Sequence, residues 1–193
     1  HHVDLVTRFR RVTTRDGLLL HGPAGWAEAA PFWDYDPAES SRWLEAALLD
    51  ATTEPPAPLR PTVPVNVTIP VSAPEDAARR VRASGGCATA KVKVADPGVP
   101  LVQDIARVEA VADALRDTVG PRARLRVDAN AAWEPDAAVA AIRELDRAAA
   151  SAGGLEYVEQ PCPDVDGLAE VRRRVDVPIA ADESIRRAED PVA

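Results

Sequence analysis

The sequence predicts an α/β fold built on a parallel sheet, preceded by a smaller α+β region. Two observations support this prediction. From about residue 65 onward, short apolar stretches typical of buried strands alternate with helical patterns, which indicates successive βαβ units. The residues before this point are rich in Gly, Trp and Pro and show only short alternating stretches. The change in composition and in secondary-structure pattern therefore predicts two domains.

The N-terminal region predicts a compact mixture of strands, a turn and one helix. The strands are expected over 8–13 and 17–20, the turn over 22–26, and the helix over 38–51 with Asp36 as its N-cap. Five prolines between Pro55 and Pro64 predict a linker. We therefore place an α+β domain at residues 1–57 and the α/β domain at 58–193.

The second domain predicts five strands that alternate with four helices. The strands are expected over 65–69, 89–94, 124–128, 155–159 and 178–182, and the helices over 74–83, 102–118, 135–150 and 165–174. An open nucleotide-binding sheet and a closed eight-stranded barrel both fit this alternation. The turn after the first strand lacks the glycines of a nucleotide-binding loop, which favours the barrel. A barrel closes only with its full set of strands, so we expect its C-terminal part to be absent from this chain.

Composition narrows the range of partners. The 193 residues carry a net charge of −8, which argues against a nucleic-acid partner. No apolar run approaches the roughly 20 residues of a membrane span, so no membrane partner is expected. Cys87 and Cys162 lie far apart and outside any CxxC pair, which indicates reduced thiols and a cytoplasmic location. The sequence carries no signal for a particular oligomeric state.

Two lysines are the first candidates for chemistry. Of the 23 basic residues, 21 are arginine, and the two lysines are Lys91 and Lys93. An ammonium can lose its proton and act as a base, whereas a guanidinium stays charged. Alternation along a strand points both lysines to one face and Val92 and Val94 to the other. In a barrel that face is the interior, although a solvated edge strand carrying two surface lysines is the simpler alternative.

Three acids form the second candidate set. Asp128, Glu159 and Asp182 each end one of three successive strands, which a parallel barrel brings to one rim. Carboxylates held together there must bind protons or a cation, and an all-oxygen set favours Mg²⁺, with Mn²⁺ as a substitute. Asn130 shares the parity of Asp128 and is expected to support the metal ligands. The alternative is three loop acids that cap the following helices.

Lysines facing a divalent metal suit the removal of a proton α to a carboxylate, followed by elimination or reprotonation. The substrate is then a small carboxylate. A neighbouring ammonium and burial are both expected to lower the pKa of the base.

Four motifs, taken together, resemble the enolase superfamily and its muconate-lactonizing-enzyme subgroup. They are Lys91-Val-Lys93, Val127-Asp-Ala-Asn130, Val158-Glu-Gln-Pro161 and Ala181-Asp-Glu-Ser184. The resemblance implies a modified (β/α)₇β barrel with an N-terminal α+β capping domain. It also implies Asp128, Glu159 and Asp182 as Mg²⁺ ligands, Lys93 as the acid/base and Lys91 as its assistant.

The N-terminal stretches 7–17, 22–28 and 31–36 are similar to actinobacterial members of this subgroup that dehydrate 2-succinyl-6-hydroxy-2,4-cyclohexadiene-1-carboxylate in menaquinone synthesis. On this resemblance Arg8 and Arg10 are expected to contact the succinyl carboxylate. Three alternatives remain: an N-succinylamino acid racemase or dipeptide epimerase on the same site, a Schiff-base aldolase that uses Lys93 as a nucleophile, and a non-catalytic fragment or binding protein.

Overall fold

The computed structural model describes residues 1–9 and 12–186. The chain divides into two compact units, His1–Val63 and Pro64–Ala193. The first unit contains two antiparallel strand pairs and one helix. Its elements are β1 (His2–Phe9), β2 (Val12–Asp16), β3 (Leu18–Gly22), β4 (Gly25–Ala29) and α1 (Pro37–Thr52).

The strand predicted over 8–13 is wrong as a single element, because β1 ends and β2 begins within it, and residues 10 and 11 lie outside the described residues. β1 ends at Phe9, β2 begins at Val12, and these two residues pair with each other across the antiparallel ladder. No Gly or Pro separates Phe9 from Val12, so the alternating pattern continues from one strand to the next in the sequence. The sequence pattern also does not predict β4. The turn expected over 22–26 is confined to the two residues between β3 and β4, so β4 begins inside the predicted turn.

The single helix of this unit begins where the sequence predicts. Asp36 is its N-cap, and its carboxylate accepts a hydrogen bond of 2.8 Å from the Glu39 N–H. Gly22 allows β3 to lie close against the end of the helix. A β-carbon at this position would lie 2.2 Å from the carbonyl oxygen of Ala51, which no larger residue could accommodate without a shift of the backbone.

Over residues 64–186, the second unit contains one parallel sheet of five strands. Its strands are β5 (Asn66–Ile69), β6 (Thr89–Lys93), β7 (Arg124–Asp128), β8 (Leu155–Glu159) and β9 (Ile179–Ala180). Their order in the sheet is their order in the chain, and every neighbouring pair is parallel. A doubly wound sheet reverses its strand order at a switch point. The unreversed order is that of a (β/α) barrel wall, as the sequence predicts.

Helices follow the strands and cover one face of this sheet. They are α2 (Pro74–Arg82), α3 (Leu101–Val119), α4 (Pro135–Ala148) and α5 (Val165–Arg172). Side chains such as Val92, Leu125 and Val127 are fully buried among them. Among the described residues, no helix is both long enough and apolar enough to cross a membrane.

Two valines, one buried and one exposed, test this packing. Val92 is fully buried in β6, whereas Val102 is 67% exposed in the first turn of α3. Val92→Ala should reduce the free energy of unfolding by about 2 kcal/mol, because it removes buried methyl groups and leaves a cavity. Val102→Ala should change it by less than about 0.5 kcal/mol. Urea unfolding measures both values, and equal effects would contradict the assignment of Val92 to the core.

Candidate active site

β6 presents its two lysines to the face of the sheet that the helices leave uncovered. Ala90 and Val92 are fully buried, while the side chains of Lys91 and Lys93 are 21% and 19% exposed. The predicted alternation along this strand is therefore confirmed.

The next two strands bring two acids beside these lysines. Asp128 at the end of β7 is paired in register with Lys93 on one side and with Glu159 of β8 on the other. Lys93 Nζ donates to Asp128 Oδ2 at 2.5 Å. Lys91 Nζ donates to both oxygens of Glu159 at 2.8 and 3.0 Å, and lies 3.2 Å from Asp128 Oδ2. We call these four residues the lysine–acid cluster.

Burial and charge act in opposite directions within this cluster. Burial opposes ionisation of Asp128, but the hydrogen bond from Lys93 and the charges of both lysines outweigh it and lower the pKa of this carboxyl. For Glu159, burial and the nearby Asp128 raise the pKa against the opposing hydrogen bond from Lys91. The lysines therefore favour the ionised form of Asp128, whereas burial makes Glu159 harder to ionise than a free carboxyl group.

The pKa of Lys91 is set by burial and by the acids of the next two strands. Burial lowers it, but the hydrogen bond to Glu159 and the charges of Asp128 and Glu159 raise it further, so the net shift is upward. Lys91 is therefore held in its charged form between the two acids.

Asn130 joins the cluster to the loop that follows β7. Its side-chain Oδ1 accepts from Lys93 Nζ at 2.9 Å, and its backbone N–H donates to Asp128 Oδ1 at 3.0 Å. Its amide nitrogen donates to Glu183 Oε1 at 2.9 Å. Asn130 is thus in direct contact with Lys93 and Asp128.

The third predicted acid does not join the other two. Asp182 lies two residues beyond the end of β9, and its carboxylate pairs with Arg186 at 3.3 Å. The following residue, Glu183, is the one that reaches Asn130. Within residues 1–9 and 12–186, no group of three His, Cys, Asp or Glu side chains is arranged to hold a metal ion. A metal-binding role of Asp182 therefore stays a prediction.

Gln160 has a function in the site that the sequence motif did not reveal. Its side chain is fully buried, and its Oε1 accepts from the backbone N–H of Asp182 at 2.6 Å and from the hydroxyl of Ser184 at 3.2 Å. Its Nε2 donates to the carbonyl of Cys162 at 2.8 Å. One buried amide thus connects the end of β8 to the loop that carries Asp182. One signal in the sequence could have indicated this role: Gln160 has the same strand parity as the buried Val158, so a polar residue stands where an apolar one is expected.

The main chain is strained where these side chains leave the strands. In the described part of the chain, four non-glycine residues have positive φ, namely Ala95, Asn130, Ala131 and Gln160. All four lie one to three residues after Lys93, Asp128 or Glu159. Such conformations cost free energy and are concentrated at functional sites. The backbone therefore marks the same end of the sheet as the side chains do.

A cavity of about 440 Å³ lies at the opposite end of the strands, near their first residues. It is lined in part by Arg124, Leu155 and Glu156 and contains none of the residues of the lysine–acid cluster. Active sites of (β/α) barrels lie at the carboxyl ends of the strands. We therefore assign the chemistry to the cluster and not to this cavity.

The cluster fits a hard divalent cation. Asp128 and Glu159 both lie within 3.2 Å of one ammonium group, so their oxygens already converge on a single point of positive charge. Mg²⁺ is commonly held by one or two protein carboxylates together with water and substrate oxygens. The two adjacent carboxylates of Asp128 and Glu159 suit this requirement.

The two arginines predicted to contact substrate remain untested. The backbone of Arg8 lies in β1, but its side chain is not among the described atoms, and Arg10 lies outside the described residues. Their proposed contacts with a succinyl carboxylate stay predictions.

Comparison with known families agrees with the fold and with the order of the motifs. The family described as "Enolase C-terminal domain-like" matches residues 73–191, and "Enolase N-terminal domain-like" matches residues 1–51. The strands of the sheet keep their order in the chain, and the lysine–acid cluster lies at their carboxyl ends. Together these two features define a (β/α)-barrel protein. This chain belongs to the enolase superfamily, as its four motifs predict.

Two relatives and two solved structures refine this comparison. The chain is 59% identical over 98% of its length to o-succinylbenzoate synthase of Thermobifida fusca (strain YX), and it covers 57% of that protein. It is 48% identical over 96% of its length to o-succinylbenzoate synthase of Mycolicibacterium smegmatis, and it covers 54% of that protein. The chain thus spans just over half the length of these relatives.

Among solved structures, the L-Ala-D/L-Glu epimerase of Bacillus subtilis is 25% identical, with a TM-score of 0.69, over 96% of this chain and 66% of its own. The magnesium complex of o-succinylbenzoate synthase from Thermosynechococcus elongatus BP-1 is 23% identical, with a TM-score of 0.67, over 100% of this chain and 69% of its own. These structures show the same fold.

The charge balance of the cluster leads to a prediction for Lys91→Met. Without Lys91, burial and the repulsion from Asp128 act on Glu159 unopposed, so the pKa of Glu159 should rise further. A folded-state pKa above that of the unfolded chain favours folding at low pH, and this contribution is lost as pH rises through the folded-state pKa. Carbon-13 NMR titration of the carboxyl groups in EDTA-treated protein measures the shift.

Arg126→Met is the matched control, because it removes a cation from β7 whose hydrogen-bonded acid is Glu156 and not Glu159. It should leave the pKa of Glu159 unchanged. A pKa of Glu159 that stays constant or falls in Lys91→Met would show that Lys91 does not neutralise this acid.

Proposed function

We propose that the protein is an o-succinylbenzoate synthase. It would dehydrate 2-succinyl-6-hydroxy-2,4-cyclohexadiene-1-carboxylate to 2-succinylbenzoate in menaquinone biosynthesis, in the cytoplasm, with Mg²⁺ as cofactor and Mn²⁺ as a substitute. The observation that supports this most is the lysine–acid cluster at the carboxyl ends of β6, β7 and β8. The close similarity to synthases of this name supports the choice of reaction.

Lys93 is the acid/base in this proposal. Its neutral amine takes the proton α to the substrate carboxylate, and the resulting ammonium returns that proton to the departing hydroxyl on the same face. One C–H bond and one C–O bond break, one C=C bond forms, and water leaves. To act as a base, Lys93 must exchange its 2.5 Å hydrogen bond with Asp128 for a contact with the substrate.

Lys91 and the two acids prepare the site for a substrate that carries negative charge. Lys91 stays charged because both acids face it, so it orients a carboxylate and does not compete with Lys93 for the proton. Asp128 and Glu159, with Asp182 as third ligand, would hold the divalent cation. When bound, that cation supplies positive charge next to the substrate carboxylate as the α-proton leaves.

We also propose a separate role for each of the two domains. Residues 1–57 would form the capping domain, with Arg8 and Arg10 as contacts for the succinyl carboxylate. Residues 58–193 would form the first five β/α units of the barrel. Asn130, in contact with Lys93 and Asp128, would keep the base and the ligand aligned.

Lys93→Arg tests this function most directly. Arginine keeps a positive charge at this position but cannot act as a base at neutral pH, so kcat should fall by about 10²- to 10⁴-fold. In Lys93→Ala, kcat should fall by at least the same factor. The assay uses the natural full-length gene product with Mg²⁺ and follows formation of the aromatic product. EDTA should abolish activity, and added Mg²⁺ or Mn²⁺ should restore it.

Arg79→Met, which changes a 71% exposed cation on α2, is the control and should leave kcat unchanged. Full activity in Lys93→Arg would exclude this mechanism. Deuterium incorporation at Cα of N-succinylamino acids or dipeptides from D₂O, without dehydration activity, would instead show a racemase or an epimerase. Borohydride inactivation in the presence of a carbonyl substrate, with activity that survives EDTA, would show a Schiff-base aldolase.

A further inference from the structure

One buried ion pair of the second unit has no role in the proposed chemistry. Asp104 and Arg107 lie one turn apart on α3, and both residues are 1% exposed. Their side chains are joined by a hydrogen bond from Arg107 Nη2 to Asp104 Oδ1. Two charges removed from water are costly even when paired, and an apolar pair would fill the same space at lower cost. Stability of the core is therefore a weak explanation for this pair.

The pair holds the main chain directly after the lysines. Arg107 Nη2 donates to the carbonyl oxygen of Lys93 at 3.0 Å. Asp104 Oδ2 accepts from the backbone N–H of Ala95 at 2.8 Å. Arg107 Nη1 also donates to the carbonyl of Ser72 at 3.3 Å, in the loop between β5 and α2. Asp104 and Arg107 thus contact the chain on both sides of Val94.

The segment that they hold requires external support. Ala95 has a φ of 60°, in the left-handed region that non-glycine residues avoid. Its N–H leaves the ladder of the sheet, because the last bond between β6 and β7 is made by Val94 N–H to the Asp128 carbonyl at 3.0 Å. Asp104 therefore satisfies a donor that the sheet does not.

We propose that Asp104 and Arg107 are positioning residues for Lys93. They fix the carbonyl of Lys93 and the turn at Ala95, and so set the height and direction from which the lysine amine reaches the substrate proton. This inference rests on the proposed role of Lys93 as the base. Misplacing a catalytic group by about 1 Å costs on the order of 10²-fold in rate, so small shifts of this turn matter.

The double variant Asp104→Asn/Arg107→Met tests the proposal, because it removes both charges and leaves neither buried alone. In the natural full-length protein, kcat for the dehydration should fall by about 10- to 100-fold, with KM changed less than about 3-fold. The primary deuterium isotope effect on kcat, with deuterium at the α-carbon, should be at least that of the unaltered enzyme, because proton removal is the step that slows. Affinity for Mn²⁺ should not change, since the pair does not touch Asp128 or Glu159.

Glu144→Gln/Arg147→Met is the matched control, because it removes another ion pair three residues apart, on the surface of α4. It should leave every value unchanged. Arg107→Lys, which keeps both charges, is the milder variant if the double variant folds poorly, and it should retain more activity than Arg107→Met. Unchanged kcat would overturn the positioning role. A rise in KM together with a loss of Mn²⁺ affinity would overturn it as well. Full activity in Lys93→Arg would instead overturn the proposed function itself.

Discussion

The rest of the site depends on the neutralisation of two buried acids by two lysines on an adjacent strand. Asp128 and Glu159 lie side by side at the ends of β7 and β8, where their repulsion is unfavourable in a partly desolvated position. Lys91 lies between the two acids and Lys93 bonds Asp128, so two ammonium groups face two carboxylates. Two adjacent carboxylates beside two ammonium groups are suited to a divalent cation and an anionic substrate.

This arrangement requires that each strand stop at the same height and that the chain turn away at once. Lys93, Asp128 and Glu159 lie in register across β6, β7 and β8. Strained non-glycine residues follow each of them, and buried polar side chains hold two of those turns. Gln160 does so after β8, and Asp104 with Arg107 does so after β6. The free energy stored in these turns is offset by the packed sheet below them.

Most of the second domain could be predicted from sequence because its signals are local. Parity along β6 placed Lys91 and Lys93 on one face, and acids at successive strand ends indicated that Asp128 and Glu159 would meet. The antiparallel pairing of β1 with β2 could not be predicted, because no Gly or Pro separates Phe9 from Val12 in the sequence. The placement of Asp182 and the roles of Gln160 and Arg107 could not be predicted, since they depend on contacts between residues distant in sequence.

Binding of Mn²⁺, measured by electron paramagnetic resonance, tests the central claim most directly, because it does not depend on catalysis. Asp128→Asn and Glu159→Gln should each weaken the affinity by at least about 10-fold, and Asp182→Asn should do the same if it completes the ligand set. Glu156→Gln changes an acid that lies within β8 and bonds Arg126, and it should leave the affinity unchanged. Equal affinity in the natural protein and in Asp128→Asn would contradict a metal site at this end of the sheet.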